Sequence, residues 1–160
     1  MQPQMLRKWQ YEQLHRAVVT VQYLLKTAST DELHTYRDGG TGWTVTEVLC
    51  HLRDWDDIFS ERFHVTVEQD NPPLPNADPA QAAIDRRYNE QDADEAMATW
   101  AEKREGVINY LGGLDESAWA RTAQHPSRGA MALMDTLMLM TWHDMNHIEQ
   151  MVKILNGRQS

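Results

Sequence analysis

The sequence predicts an all-α fold: a four-helix bundle with a long connection after its second helix. Three observations carry this. Four long segments repeat apolar residues every three or four positions, the period of a helix with a buried face. Only eight glycines and six prolines occur in 160 residues, too few for the many turns of an all-β chain. Four of the prolines, Pro72, Pro73, Pro75 and Pro79, fall together and break the chain near its middle.

The first helix is predicted from Pro3 to about Ala28. Proline suits a first turn, where its missing N–H is not needed, and Leu14, Val18, Val21 and Leu25 form an apolar stripe. Ser29 to Trp43, with Gly39, Gly40 and Gly42, reads as a loop. The second helix opens on Thr44-Val45-Thr46-Glu47, a capping box in which each of the two outer side chains satisfies an otherwise free N–H. Trp43 stands where a hydrophobic staple would, and the helix is expected to reach about Val67. Gln69 to Pro79 cannot be helical and reads as a crossover or lid; a long connection there permits a non-sequential helix order. The third helix is expected from about Asp92 to Leu111, with Met97, Trp100, Val107 and Leu111 as core residues and Gly112-Gly113 as its stop. A helical turn is expected near Glu116 to Trp119 and a loop at His125-Pro126 and Gly129. The fourth helix is expected from about Ala130 to Leu155, ended by Gly157.

A length of 160 residues suits one domain, 1–160, able to bury a core without staples. Fifteen basic against 24 acidic residues give a net charge of -9, with no basic cluster to offset it, which disfavours nucleic acid as a partner. Cys50 is the lone cysteine, so no internal disulfide forms and a reducing, cytoplasmic setting is expected. The N-terminal stretch lacks the apolar core of a signal peptide. No apolar run approaches the roughly 18 residues of a membrane span; Ala130 to Met140 is too short and contains Asp135.

The chemistry-bearing pattern is His143-Asp144-Met145-Asn146-His147. Positions i and i+4 share a helix face, so two imidazoles can bind one metal ion. Their stripe also holds Thr136, Met140, Gln150, Met151 and Ile154, and burying imidazoles there is costly unless they are satisfied. Two separately hydrogen-bonded histidines would satisfy them equally well. His51, on the inward stripe of the second helix with Glu47, Trp55, Ile58 and Arg62, offers a third ligand. Asp54, one turn on, is either a partner for a ring N–H or a solvated charge. Gln150 is placed to orient a ring or meet a ligand. Cys50 points about 100° from His51 and reads as core. His15, His34, His64 and His125 read as surface or cap residues, and Arg37, Arg62 and Arg128 as solvated surface, with anion anchoring as the alternative role for these arginines.

The stretch Gly42-Trp43-Thr44-Val45-Thr46-Glu47-Val48-Leu49-Cys50-His51-Leu52-Arg53-Asp54-Trp55 resembles the second-helix motif of the DinB/YfiT-like superfamily. His125-Pro126 through Gly129, then His143 to Met151, resembles its C-terminal helix, and the resemblance spans nearly the whole chain. It implies a four-helix bundle with a divalent metal, zinc or nickel, held by His51, His143 and His147. It also implies a small-molecule substrate, a frequent homodimer, and thiol-dependent transferase or isomerase chemistry with a low-molecular-weight thiol such as bacillithiol or mycothiol. Some relatives carry a further histidine just before the last ligand; here that position is Asn146.

Three neutral imidazoles with open positions describe a catalytic rather than a closed structural site. The leading expectation is a thiol S-transferase-like enzyme, assisted by hydrogen bonds from Glu47, Asp54 or Gln150. One alternative is a hydrolase using Glu47 or Asp54 as general base. Another is a non-catalytic, stress-related metal-binding protein, with His15 or His125 as fourth ligand. Met134, Met138, Met145 and Val152, with Trp142 at their edge, lie opposite the histidines. They are expected either beneath neighbouring helices or in a dimer interface.

Overall fold

The computed structural model describes residues 3–157; the outermost ends of the expected domain, residues 1–2 and 158–160, lie outside the described residues. The bundle is built from α1 (Pro3–Lys26), α3 (Val45–Glu68), α5 (Ala93–Gly112) and α6 (Leu133–Gly157). Short helices α2 (Thr30–Thr35) and α4 (Pro79–Asp85) lie in the connections, and a hairpin of β1 (Thr122–His125) and β2 (Gly129–Ala132) precedes α6. Both α1 and α3 pack on α5 and α6, so α1 and α3 face each other across one diagonal and α5 and α6 across the other. The connections that span these diagonals, 27–44 and 113–132, are long enough to permit this order. Among the described residues, no helix is long and apolar enough to cross a membrane.

Local signals set the helix starts. Glu47 N donates to Thr44 Oγ1 and Thr44 N to Glu47 Oε2, at 3.2 and 2.8 Å, completing the capping box of α3. Ser29 and Glu32 repeat the device, so a helix, α2, begins inside the stretch expected to be a loop. Asp78 caps α4 and Asp92 caps α5.

The fourth long helix starts at Leu133 rather than Ala130, because residues 129–132 pair with 122–125. Gly129, with φ +76, makes the turn of this hairpin. A four-residue apolar run carries no period that separates strand from helix. The proline-rich connection binds the same hairpin: Leu74 N donates to Gln124 O and Gln124 N to Pro72 O, both at 2.8 Å. Arg121 donates from Nε to Thr66 O and from Nη2 to Gln69 O, capping the C-terminus of α3.

The apolar core forms two clusters. One holds Val48, Leu52, Trp100 and Met151; the other holds Phe59, Phe63, Leu111, Leu137 and Met140. Along α3, α5 and α6 a buried charge separates the two: Asp56, Arg104 and Asp144. Arg104 binds Asp56 through Nε and Nη2 at 2.9 and 2.7 Å, and Asp144 through Nη1 and Nη2 at 2.6 and 3.2 Å. Its Nη1 also donates to Leu14 O of α1, and its guanidinium lies over the Trp100 ring. Burial opposes the charge, but the attraction of Asp144 and Asp56 outweighs it and holds the guanidinium protonated. Removing one member of such a cluster leaves the others charged, dry and unpaired.

Arg104→Met is therefore expected to cost about 3–5 kcal/mol in urea unfolding. Adding Asp56→Leu and Asp144→Leu should recover most of it, because apolar residues of similar size carry no desolvation cost. A loss under about 1 kcal/mol for the single variant would contradict this account.

Candidate metal centre

The capping box fixes where α3 begins, and His51 stands on its second turn. His143 and His147 lie one turn apart on α6, and the α3–α6 packing brings all three rings together. Ring centroids are 4.5 to 5.0 Å apart. His51 Nε2 lies 3.0 Å from His143 Nε2, and one nitrogen from each ring falls within 4.8 Å of the others. Trp43 and Trp55 wall the site: Trp43 lies 5.0 Å from His51 and 6.4 Å from His147, Trp55 4.3 Å from His51 and 6.1 Å from His143. Phe59 meets the His143 ring edge-on at 5.6 Å.

The site keeps His51 and His147 neutral. Burial, then the neighbouring His143 and His147, push His51 down to about 2. Burial and His143 push His147 down to about 4. Neutral nitrogen is the form that ligates metal. The donor set fits a divalent ion on a further observation: His51 Nε2 and His143 Nε2 face each other at 3.0 Å, where at most one carries a proton, while their Nδ1 atoms are buried without a hydrogen-bond partner, that of His143 lying 3.9 Å from Asp144 Oδ1. One proton shared between the two Nε2 atoms leaves this cluster under-satisfied in an apolar shell.

Gln150 fixes the third ring. His147 Nδ1 lies 2.8 Å from Gln150 Oε1, an acceptor only, so the proton sits on Nδ1 and Nε2 keeps its lone pair. Gln150 Nε2 in turn donates to Asp38 Oδ2 at 2.9 Å. Sequence reasoning missed Asp38. The signal was its glycine-rich loop: a Cβ on Gly42 would meet Asp38 O at 2.7 Å, so the loop closes only around glycine.

Other expected residues lie elsewhere. Glu47 is committed to the capping box and to Arg37 at 3.1 Å. Asp54 holds no imidazole; it accepts from Arg53, Arg86 and Tyr88 at 2.7, 2.5 and 2.7 Å. Three donors saturate the carboxylate and leave the Nδ1 atoms unserved. Cys50 is fully buried, its thiol pushed up to about 11 chiefly by burial. His15 pairs with Glu105 and His125 with Ser127, so neither joins the triad. His34 binds Asn89 O, and His64 binds Ser60 O while stacking on Tyr110. Arg62 is not solvated surface: it is 5% exposed and donates to Pro75 O.

With this geometry in place, comparison with known proteins is informative. The sequence profile of the DinB superfamily matches residues 13–151. The chain belongs to the DinB superfamily. Within that setting, a candidate metal-dependent hydrolase of Oceanobacillus iheyensis is 24% identical over 127 residues, 79% of this chain and 72% of that protein. YfiT of Bacillus subtilis is described as a candidate metal-dependent hydrolase with an unusual four-helix bundle topology. It superposes with a TM-score of 0.88 at 21% identity, over 99% of this DinB-superfamily chain and 90% of YfiT. A mycothiol-dependent maleylpyruvate isomerase gives a TM-score of 0.74 at 11% identity, over 91% of this chain and 60% of the isomerase. At these identities the structural likenesses show a shared fold.

The depressed histidines set a pH dependence for the metal-free protein. Unfolding returns them to the ordinary histidine range near ~6.5, so on acidification the unfolded chain takes up protons first. Stability should fall from there toward about 4 for His147, and on toward about 2 for His51. Above the ordinary range these two groups contribute no slope. Thermal unfolding of metal-free protein between about pH 8 and pH 5 checks this, and a midpoint that rises on acidification would contradict it.

Proposed function

We propose that His51, His143 and His147 hold one divalent ion, zinc or nickel, and that the protein joins a low-molecular-weight thiol to an electrophilic small molecule. The convergence of three imidazoles beside two tryptophans supports this reading. Among the described residues, no fourth histidine, cysteine or carboxylate joins the cluster, as an open catalytic site requires and a closed one does not. When bound, such an ion stabilises the deprotonated form of a thiol or water. Gln150 and Asp38 hold His147 in the ligating tautomer. Trp43 and Trp55 offer apolar walls to a substrate and limit water.

Thiol is favoured over water as nucleophile because no general base is at hand. Glu47 and Asp54, the acidic candidates on α3, are both occupied by donors. A thiol ionises near ~8.5 and needs little help, whereas bulk water, near ~15.7, needs far more. The hydrolase reading is kept because two relatives bear that description. We further place the protein in the cytoplasm, where the free, buried Cys50 is at home.

Elemental mass spectrometry of purified protein should find near-stoichiometric zinc or nickel, little in His147→Ala, and weakened retention in Gln150→Ala. The loaded protein should then consume thiol in the presence of an electrophile. Ester or amide hydrolysis without thiol consumption would establish the second reading. Failure of the native protein to take up zinc or nickel would end both.

A homodimer is the proposed assembly. Burial within the single chain does not account for the α6 face opposite the triad: Met138, Trp142 and Met145 are 46, 59 and 54% exposed. On α1, Met5 and Trp9 are exposed as well, and Thr141 Oγ1 donates to Gln10 Oε1, placing that part of α1 beside α6. Such a patch of Met and Trp suits an interface between copies. Light scattering should give twice the chain mass, reduced to one by Trp142→Glu; a native monomer at micromolar concentration would refute it.

A further inference from the structure

Arg62 is a buried guanidinium without an ion pair among the described residues; the carboxylate that acts on it is its exposed chain neighbour, Glu61. Arg62 lies on α3 eleven residues beyond His51, three turns along the same face. Its Nε and Nη2 donate to Pro75 O at 3.3 and 3.0 Å. Its Cζ sits 5.7 Å from the Phe59 ring, which lies 5.6 Å from His143. One phenyl ring therefore separates this charge from the triad.

The hairpin adds further positive character. Pro75, whose carbonyl accepts from Arg62, follows Leu74, and Leu74 N donates to Gln124 O beside His125, so the hairpin turn that carries His125 and Arg128 lies close enough to Arg62 for the three to act on one another electrostatically. Arg128 is exposed and makes no ion pair among the described residues. His125 Nδ1 accepts from Ser127 N at 3.2 Å, so a neutral ring carries its proton on Nε2 as a donor. Burial and the two guanidiniums hold His125 below the usual histidine range. On α6, which runs antiparallel to α3, Thr136 lies eleven residues before His147 and so level with Arg62; its hydroxyl is buried without a partner. A chain of net charge -9 thus keeps a corner of uncompensated donors.

A desolvated cation needs charge or polar partners. A guanidinium edge fits an oxyanion, and carboxylate most closely in shape. We propose that Arg62, Arg128 and His125 form a subsite for the carboxylate of a small organic acid, whose reactive end reaches past Phe59 to the triad. The second half of that statement rests on the metal-centre reading; the subsite itself does not.

The test uses the full chain, metal-free and zinc-incubated, with the His125 ring resonances followed by NMR during titration with succinate and, separately, inorganic phosphate. Saturable succinate binding in the millimolar range or tighter is expected in both preparations. It should weaken at least about tenfold in Arg128→Ala, and likewise in Arg62→Met, whose stem still packs on Phe59. Arg128 is exposed, so its variant folds and keeps the test decisive if Arg62→Met does not fold. Absence of saturation, undiminished binding in Arg128→Ala, or tighter binding of phosphate than of succinate would each overturn the carboxylate subsite. Zinc content is read on the same samples. Succinate binding without zinc uptake would sink the metal reading and spare the subsite; zinc uptake without succinate binding would do the reverse.

Discussion

Every long helix of the bundle touches one guanidinium. Arg104, on α5, binds a carboxylate of α3, a carboxylate of α6 and a backbone carbonyl of α1. Helices packed only through apolar side chains can slide by a turn at modest cost, because one aliphatic contact replaces another. Two bidentate ion pairs at a single level cannot be rebuilt after such a slip. The layer between the two apolar clusters therefore fixes the register of α3, α5 and α6 together.

The metal centre depends on that register. Asp144 is the chain neighbour of His143, and Asp56 lies five residues beyond His51. Pinning Asp56 and Asp144 to one guanidinium therefore sets the levels at which His51 and His143 meet. A one-turn slip would move His51 by about 5.4 Å and leave its Nε2 far from that of His143. The cluster also explains how His51 and His147 stay neutral in a buried place: the charge of the nearby Asp144 carboxylate is spent on Arg104. Asp54, on the opposite flank, is likewise spent on Arg53, Arg86 and Tyr88.

What the sequence made legible divides by the range of the interaction. The capping box at Thr44, the spacing of His143 and His147, and the proline-rich break are local, and each could be read within a few residues. The helical bundle followed from periodicity. The hairpin was not legible, since residues 129–132 are too few to show a period and their pairing lies across a turn. The α2 helix was legible but unread: Ser29 and Glu32 form the same box as Thr44 and Glu47. Asp56, Arg104 and Asp144 each interrupt an apolar stripe, which announces a buried charge but not its partner. Asp38 lies 112 residues from Gln150, and no local pattern joins them.

Arg104 and Arg62 are both buried, yet they serve different ends. Both sit on inward faces of long helices and both are desolvated. Arg104 is enclosed by two carboxylates, and its charge is wholly used in holding helices together. Arg62 has a carbonyl, an aromatic ring and the field of exposed Glu61 but no ion pair among the described residues, with Arg128 nearby to raise the cost. A charge added for stability alone would take a carboxylate partner, and an acidic chain has carboxylates to spare. That Arg62 has none, on the face of α3 that carries His51, separates a group that builds the bundle from one left with a partner still to bind. The chain's electrostatics thus divide along α3: spent at Asp56, neutral at His51, and unspent at Arg62.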